Sequence, residues 1–169
     1  MPTNRTPFRL NVGFIVHEEV GYSRRFPFEF ERVALGEDLL LRNFSGAVEI
    51  GRTPQGLLVQ GRFNGETELD CARCLTAFWQ RIDWGLTELF AFSRSGVSES
   101  GLLLPEDAHI DLGPLLREYA LLEVPISPLH APDCRGLCPV CGEDLNVRDC
   151  GHRPPESESP FSALKRLSG

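Results

Sequence analysis

Six cysteines at positions 71, 74, 134, 138, 141 and 150 limit this chain more than any other feature, because thiols so grouped are built either for a metal or for disulfides. Two pairs, Cys71-Ala-Arg-Cys74 and Cys138-Pro-Val-Cys141, have the C-x2-C spacing that lets two sulfurs reach one ion from a single tight turn. Gly142 directly follows the second pair, where such a turn favours a positive φ. His130 and His152 fall in the same C-terminal stretch, and zinc in structural sites takes four nitrogen or sulfur ligands in a closed tetrahedron.

Two ways of sharing these ligands are open. In the first, Cys71, Cys74, His130 and Cys134 form site A, and Cys138, Cys141, Cys150 and His152 form site B. All eight candidates are then used, and two structural zinc ions are bound. In the second, the two C-x2-C pairs join in one four-thiolate ribbon around one ion, leaving Cys134, Cys150 and both histidines over. The first scheme is preferred because nothing is left unexplained. Disulfides need an oxidising compartment, whereas the N-terminal stretch lacks the basic start and apolar run of a secretory signal, so a cytoplasmic protein is expected. No β-α-β pattern frames either pair as a thioredoxin-like redox motif would require. Catalytic zinc keeps an open position and a nearby base; Glu143 and Asp144 are read instead as loop carboxylates, and His17 and His109 are assigned no role. The chain is therefore not expected to be an enzyme, and no small-molecule substrate is expected.

The rest of the sequence reads as α+β: an antiparallel β-meander or partly closed barrel, one packed helix and a C-terminal zinc-knuckle segment. Phe26, Phe28 and Phe30 alternate with polar or proline positions, the period of a strand with one buried face. Phe44–Ile50 and Leu57–Phe63 read as strands around a turn containing Pro54. Asn64-Gly65 is a hairpin signal before a third strand, Glu66–Asp70. Phe78–Phe92 supplies one or two more, and Ser93–Ala108 reads as a flexible connection. Asp111 fits a helix N-cap with Pro114 in the first turn, and Leu112, Leu115, Leu116, Tyr119 and Leu122 mark the buried face. The expected division is a β-rich core with one helix over 1–128, a Cys/His segment packed on it over 129–152, and a mostly flexible tail over 153–169. In that tail Phe161, Leu164 and Leu167 form a short amphipathic turn. No run of about 18 apolar residues exists, so no membrane partner is expected.

Charge narrows the partners. The formal net charge is −7; six thiolates would remove six more charges and two zinc ions restore four, giving −9. A general field of that sign repels polyanions, so contact with RNA needs a local basic patch, and a basic protein partner is favoured. Arg73, Arg135, Arg148 and Arg153 lie beside the ligands and are the residues available for such a patch.

The stretch from Pro128 to Asn146, with its Gly-Leu-Cys-Pro-x-Cys-Gly-x-x-Leu-Asn string, resembles the YceD family of bacterial proteins. The likeness extends to Asp70-Cys71-Ala-Arg-Cys74, to Asp111-Leu112, to Pro125 and to Pro160-Phe161 with Leu164-Lys165, in the family's order. The family's cysteines correspond to Cys71, Cys74, Cys134, Cys138, Cys141 and Cys150, and many relatives carry Cys where this chain has His130 and His152. The resemblance implies a non-catalytic role in accumulation or processing of 23S ribosomal RNA and in ribosome assembly. The implied partner is a large-subunit rRNA precursor or a basic ribosomal protein. A zinc-stabilised protein–protein adaptor without RNA contact is the alternative.

Overall fold

The computed structural model describes residues 7–152. The described residues separate into two compact units, one built from 7–69 together with Phe78–Ile126, the other from Asp70–Ala77 together with 127–152. The expected amphipathic turn at Phe161, Leu164 and Leu167, like Arg153, lies outside the described residues.

In the first unit, β1 (Arg9–Asn11) leads into a single turn of helix, α1 (Gly13–Val16). Then β2 (Ser23–Ala34), β3 (Leu40–Arg52), β4 (Gly56–Asp70) and β5 (Ala77–Ala91) form one four-stranded sheet in sequence order. β2 and β3 are antiparallel, as are β3 and β4. A short β6 (His109–Asp111) pairs antiparallel with β1, and α2 (Gly113–Glu123) follows. The β2 and β5 ends of the sheet do not join, so it is an open meander and the barrel alternative is set aside.

The Asn64-Gly65 signal is not a hairpin. A two-residue turn of that type needs φ > 0 at both positions, yet β4 runs straight through them. The irregularity falls on the neighbouring strand. Arg42 faces Glu66 and Ser45 faces Asn64, so Asn43 and Phe44 together stand against Gly65. This is a β-bulge whose first residue, Asn43, takes the left-handed conformation at φ 50°. The bulge shifts the inward phase of β3 by one residue. β4 keeps Leu57, Val59, Phe63 and Thr67 buried along its length, while β3 changes from Phe44, Val48 and Ile50 to Leu41. Without that extra residue Leu41 would turn to solvent.

One aromatic stack fills the centre of the sheet's buried face. Phe44 and Phe63 lie with ring centroids 5.7 Å apart, and Phe63 and Trp84 5.9 Å apart, both stacked; Phe8 meets Phe44 edge-on at 5.6 Å. Each such pair adds about 0.5–1.5 kcal/mol beyond the area it buries. Gly46 and Gly61 give the Phe63 ring its room: a Cβ at Gly61 would lie 2.7 Å from the ring, and one at Gly46 would lie 2.5 Å from the Arg62 carbonyl and still closer to the ring.

The helix differs in detail from its expected form. Its N-cap is Leu112, one residue after Asp111; the Asp111 carboxylate accepts a hydrogen bond from the Gly113 N–H at 2.9 Å, and Asp111 itself ends β6. Leu112, Leu116 and Ala120 are the fully buried positions, whereas Leu122 is 77% exposed. A small alanine faces the core where a leucine was expected to. The Ser93–Ala108 connection holds a 3-10 turn at Arg94–Gly96, and Leu102 and Leu104 bond the backbone of Ala91.

Replacing Gly46 by alanine is expected to lower the unfolding free energy by about 1–3 kcal/mol, the usual cost of overpacking a dense core. Urea titration of the purified protein measures it, and an unchanged midpoint would disprove the close-contact account.

Candidate metal centres

The second unit holds all eight Cys and His candidates, and its backbone repeats one turn twice. In the connection between β4 and β5, the Cys71 N–H donates to the Thr76 carbonyl at 2.9 Å and the Leu75 N–H donates to the Cys71 carbonyl at 2.9 Å. In the second pair, the Cys138 N–H donates to the Glu143 carbonyl at 2.8 Å and the Gly142 N–H to the Cys138 carbonyl at 2.9 Å. Both turns place the residue after the second cysteine in the left-handed region, Leu75 at φ 60° and Gly142 at φ 75°. The Val140 N–H points at the Cys138 sulfur, 3.4 Å away. The two C-x2-C segments are thus one knuckle used twice, although only the second carries the glycine that advertises it.

Cys71, Cys74, His130 and Cys134 come together with their donor atoms within 4.8 Å of one another, and so do Cys138, Cys141, Cys150 and His152. The two C-x2-C pairs fall in different groups, which is the arrangement of the two-site scheme and not of a shared ribbon. In the first group the Cys71 and Cys134 sulfurs are 3.7 Å apart, and the Cys74 sulfur is 3.3 Å from Nδ1 of His130. A disulfide would bring sulfurs to about 2.05 Å. The edge of a tetrahedron with zinc–sulfur bonds of about 2.3 Å is about 3.8 Å. All six cysteines are free thiols.

Hydrogen bonds to backbone carbonyls close the first group across a long stretch of chain. The Ala72 N–H donates to the Pro128 carbonyl at 2.8 Å, the Leu137 N–H to the Arg73 carbonyl at 3.0 Å, and the Arg73 guanidinium to the Cys134 carbonyl at 2.8 Å. Gly136, at φ 76°, makes the close approach possible, since a Cβ there would sit 3.0 Å from the Arg73 carbonyl oxygen. Asn146 is the residue that a search for ligands misses. Its side-chain amide donates to the Cys134 sulfur at 3.5 Å and to Asp144 at 2.7 Å, and its carbonyl oxygen accepts from the Arg135 N–H at 2.8 Å. The only trace of it in the sequence is the Leu-Asn that ends the knuckle string.

Burial separates the groups. Cys71, Cys74 and Cys134 are buried and His130 is exposed, whereas in the second group Cys138 alone is buried, Cys150 is half-buried, and Cys141 and His152 are exposed. Burial works against a charged Cys71, but hydrogen bonds from the His130 ring and from backbone groups of His130, Arg73 and Cys74 outweigh it and bring its pKa down to about 5. Burial pushes Cys134 up, helped by the sulfurs of Cys74 and Cys71 and opposed by Asn146 and the Gly136 backbone. In the second group, the backbones of Cys141 and Val140 lead in bringing Cys138 down to about 6 against its burial. The His152 backbone favours the Cys150 thiolate, yet its neighbours Cys138 and Cys141, with burial, raise it. Each group therefore sets a thiol held low by hydrogen bonds beside one pushed up by burial and neighbouring sulfurs.

The other polar residues singled out in the sequence near the ligands, Glu143, Asp144, Arg73, Arg135 and Arg148, have structural partners. The Glu143 carboxylate lies 3.8 Å from Arg148, and Asp144 accepts from both nitrogens of Asn146, so neither matches a free general base. Arg135 lies 3.5 Å from Asp149. Arg73, Arg135 and Arg148 each face an oxygen of the unit itself. His109 bonds the Asp107 carbonyl at 2.7 Å and is not part of either group.

An open antiparallel sheet joined to a unit of two three-cysteine, one-histidine knuckles defines a Cys/His-rich β-protein. The profile of the YceD family, described as "Large ribosomal RNA subunit accumulation protein YceD", matches residues 59–168, and the chain belongs to that family. An uncharacterized protein of Mycobacterium tuberculosis is 33% identical over 164 residues, covering 92% of this chain and 74% of its own length. A chloroplast protein of Arabidopsis thaliana, named as a YCED homolog in large ribosomal RNA subunit accumulation, is 32% identical over 63 residues, 37% of this chain and 20% of its own length. An uncharacterized protein of Bacillus subtilis is 26% identical over 106 residues, 62% of each chain. No solved structure matches the chain significantly. Among the described residues no helix is long and apolar enough to cross a membrane.

The twin knuckles generate a paired prediction. Leu75→Gly relieves a left-handed leucine and should stabilise the protein by about 0.5–1 kcal/mol, while Gly142→Ala should destabilise it by about 1 kcal/mol. Urea midpoints decide it; a loss of stability in the Leu75 variant would show that the side chain matters more than its backbone.

Proposed function

We propose that this protein is a non-catalytic, cytoplasmic factor that supports accumulation and processing of 23S ribosomal RNA and assembly of the large subunit, with two structural zinc ions shaping its second unit. Membership of the YceD family supports the process, and the name of the chloroplast relative agrees with it. The 3.7 Å separation of the Cys71 and Cys134 sulfurs carries the zinc reading, because it fits a tetrahedral edge and not a bond. Three sulfurs and one imidazole within 4.8 Å leave no position for water or substrate, so the ions are structural. When bound, zinc supplies charge neutralisation and cross-linking; the chain's own part is to aim backbone N–H groups and Asn146 at the sulfurs.

The partner is a large-subunit rRNA precursor or a basic ribosomal protein. The pairing of Arg135 with Asp149 and of Arg148 with Glu143 favours a second reading, an adaptor that holds proteins without touching RNA. Pull-down before and after ribonuclease treatment separates the two, since adaptor partners survive digestion and RNA-borne ones do not. In a strain lacking the gene, 23S rRNA should fall relative to 16S; equal levels of both would reject the assembly role.

Metal analysis of protein purified without added metal should give two zinc ions per chain. Cys74→Ser and Cys141→Ser should each retain one. By hydrogen exchange, the first should loosen 70–77 together with 127–137, and the second mainly 138–152. Loss of all zinc from either variant would favour a single shared ion.

A further inference from the structure

The two Cys/His groups have the same ligand set and the same knuckle, so they form an internal control on a property that chemistry alone would make equal. What differs is access. In the first group the three cysteine residues are 0%, 6% and 3% exposed at Cys71, Cys74 and Cys134. The one exposed donor there is His130, an imidazole, which mild peroxide leaves intact. In the second group Cys138 is 3% exposed, but Cys141 is open to solvent and flanked by Pro139, Val140 and Gly142, which are also exposed. Cys150 is half-buried within 4.8 Å of Cys141 and Cys138. The turn that carries Cys150 and His152 is shaped by a local bond from the Gly151 N–H to Asp149 at 2.9 Å. The first group, by contrast, is tied by bonds that span more than fifty residues, from Ala72 to Pro128 and from Arg73 to Cys134 and Leu137.

We infer that the second group is a peroxide-sensitive thiol switch, opened by oxidation at Cys141, while the first group is the permanent staple of the unit. This rests on the zinc reading above and adds a regulatory role to one of its two sites. The chemistry is that of a thiolate with a hydroperoxide. The Cys141 sulfur attacks the O–O bond of hydrogen peroxide and takes one oxygen, becoming a sulfenic acid; the other oxygen leaves as hydroxide and gains a proton. The sulfur of Cys150 then attacks that of Cys141, the S–O bond breaks, and a second hydroxide leaves and gains a proton. Two thiolates, one hydrogen peroxide and two protons give one disulfide and two waters. The sulfur pair loses two electrons, and the peroxide takes them. Cys138 and His152 are too few to hold the ion, so the segment 138–152 is released from its constraint while 70–77 and 127–137 stay closed. Oxidation by access is the general pattern for cysteines that otherwise share one chemistry.

The test uses the full chain loaded with zinc. Hydrogen peroxide is added, released zinc is read with a chromogenic chelator, and the bridged cysteines are mapped by alkylation and mass spectrometry at early times. One zinc per chain should leave on the order of tenfold faster than the other, with Cys141 in the first bridge and Cys71, Cys74 and Cys134 still alkylatable after unfolding. A thiol reductant with added zinc should restore the starting content. Release of both ions at one rate, or a first bridge lacking Cys141, overturns the switch and leaves the zinc reading intact. A preparation with no zinc before peroxide is added overturns the zinc reading itself.

Discussion

Sulfur crowding governs this molecule. Three thiols and an imidazole are packed within 4.8 Å, and thiolates so close repel one another; against burial, hydrogen bonds from His130 and the backbone hold Cys71 low, while burial, helped by the neighbouring sulfurs, pushes Cys134 up. A divalent cation removes the conflict by accepting all the charge at one point. The chain already aims donors at the sulfurs: the Val140 N–H reaches Cys138, and Asn146, braced by Asp144 and the Arg135 N–H, reaches Cys134. On the zinc reading proposed above, a unit with so little apolar bulk would depend on such a centre where an ordinary domain depends on its core.

The first unit solves its own problem by ordinary means. An aromatic stack needs both bulk and relief, and the pairing of Gly46 with Phe63 across the sheet supplies relief at the point of greatest bulk. The bulge at Asn43 then keeps a thirteen-residue strand facing the core by changing its phase once. Neither device involves the cysteines. The chain divides its labour between a hydrophobic structure and a polar one.

Much of this was legible in the sequence, and the reasons for the exceptions are physical. Cysteine positions report themselves because few other residues do their work; spacing left two ways of sharing the ligands, and the one that used all eight candidates matches the two groups of the structure. The second knuckle was plain from Gly142; the first was less so because Leu75 tolerates a conformation that glycine prefers. Asn64-Gly65 misled because a dipeptide records only what its backbone permits, and pairing with β3 on one side and β5 on the other outweighed a local turn. Leu122 misled for a related reason: helical periodicity assigns a face of fixed width, and the sheet accepted a narrower one centred on Leu116 and Ala120. Asn146 could not be found as a ligand because it is not one; it acts by orienting Cys134.

The second unit is discontinuous: Phe78–Ile126 is threaded between its two parts, and the chain leaves and re-enters it beside Cys74 and His130. No single cut along the chain can therefore separate sheet from knuckles. A fragment that stops before His130 retains the first cysteine pair without its partners, and one that starts there has the converse defect. Anyone wishing to study either half alone would have to excise an inner segment and rejoin the ends.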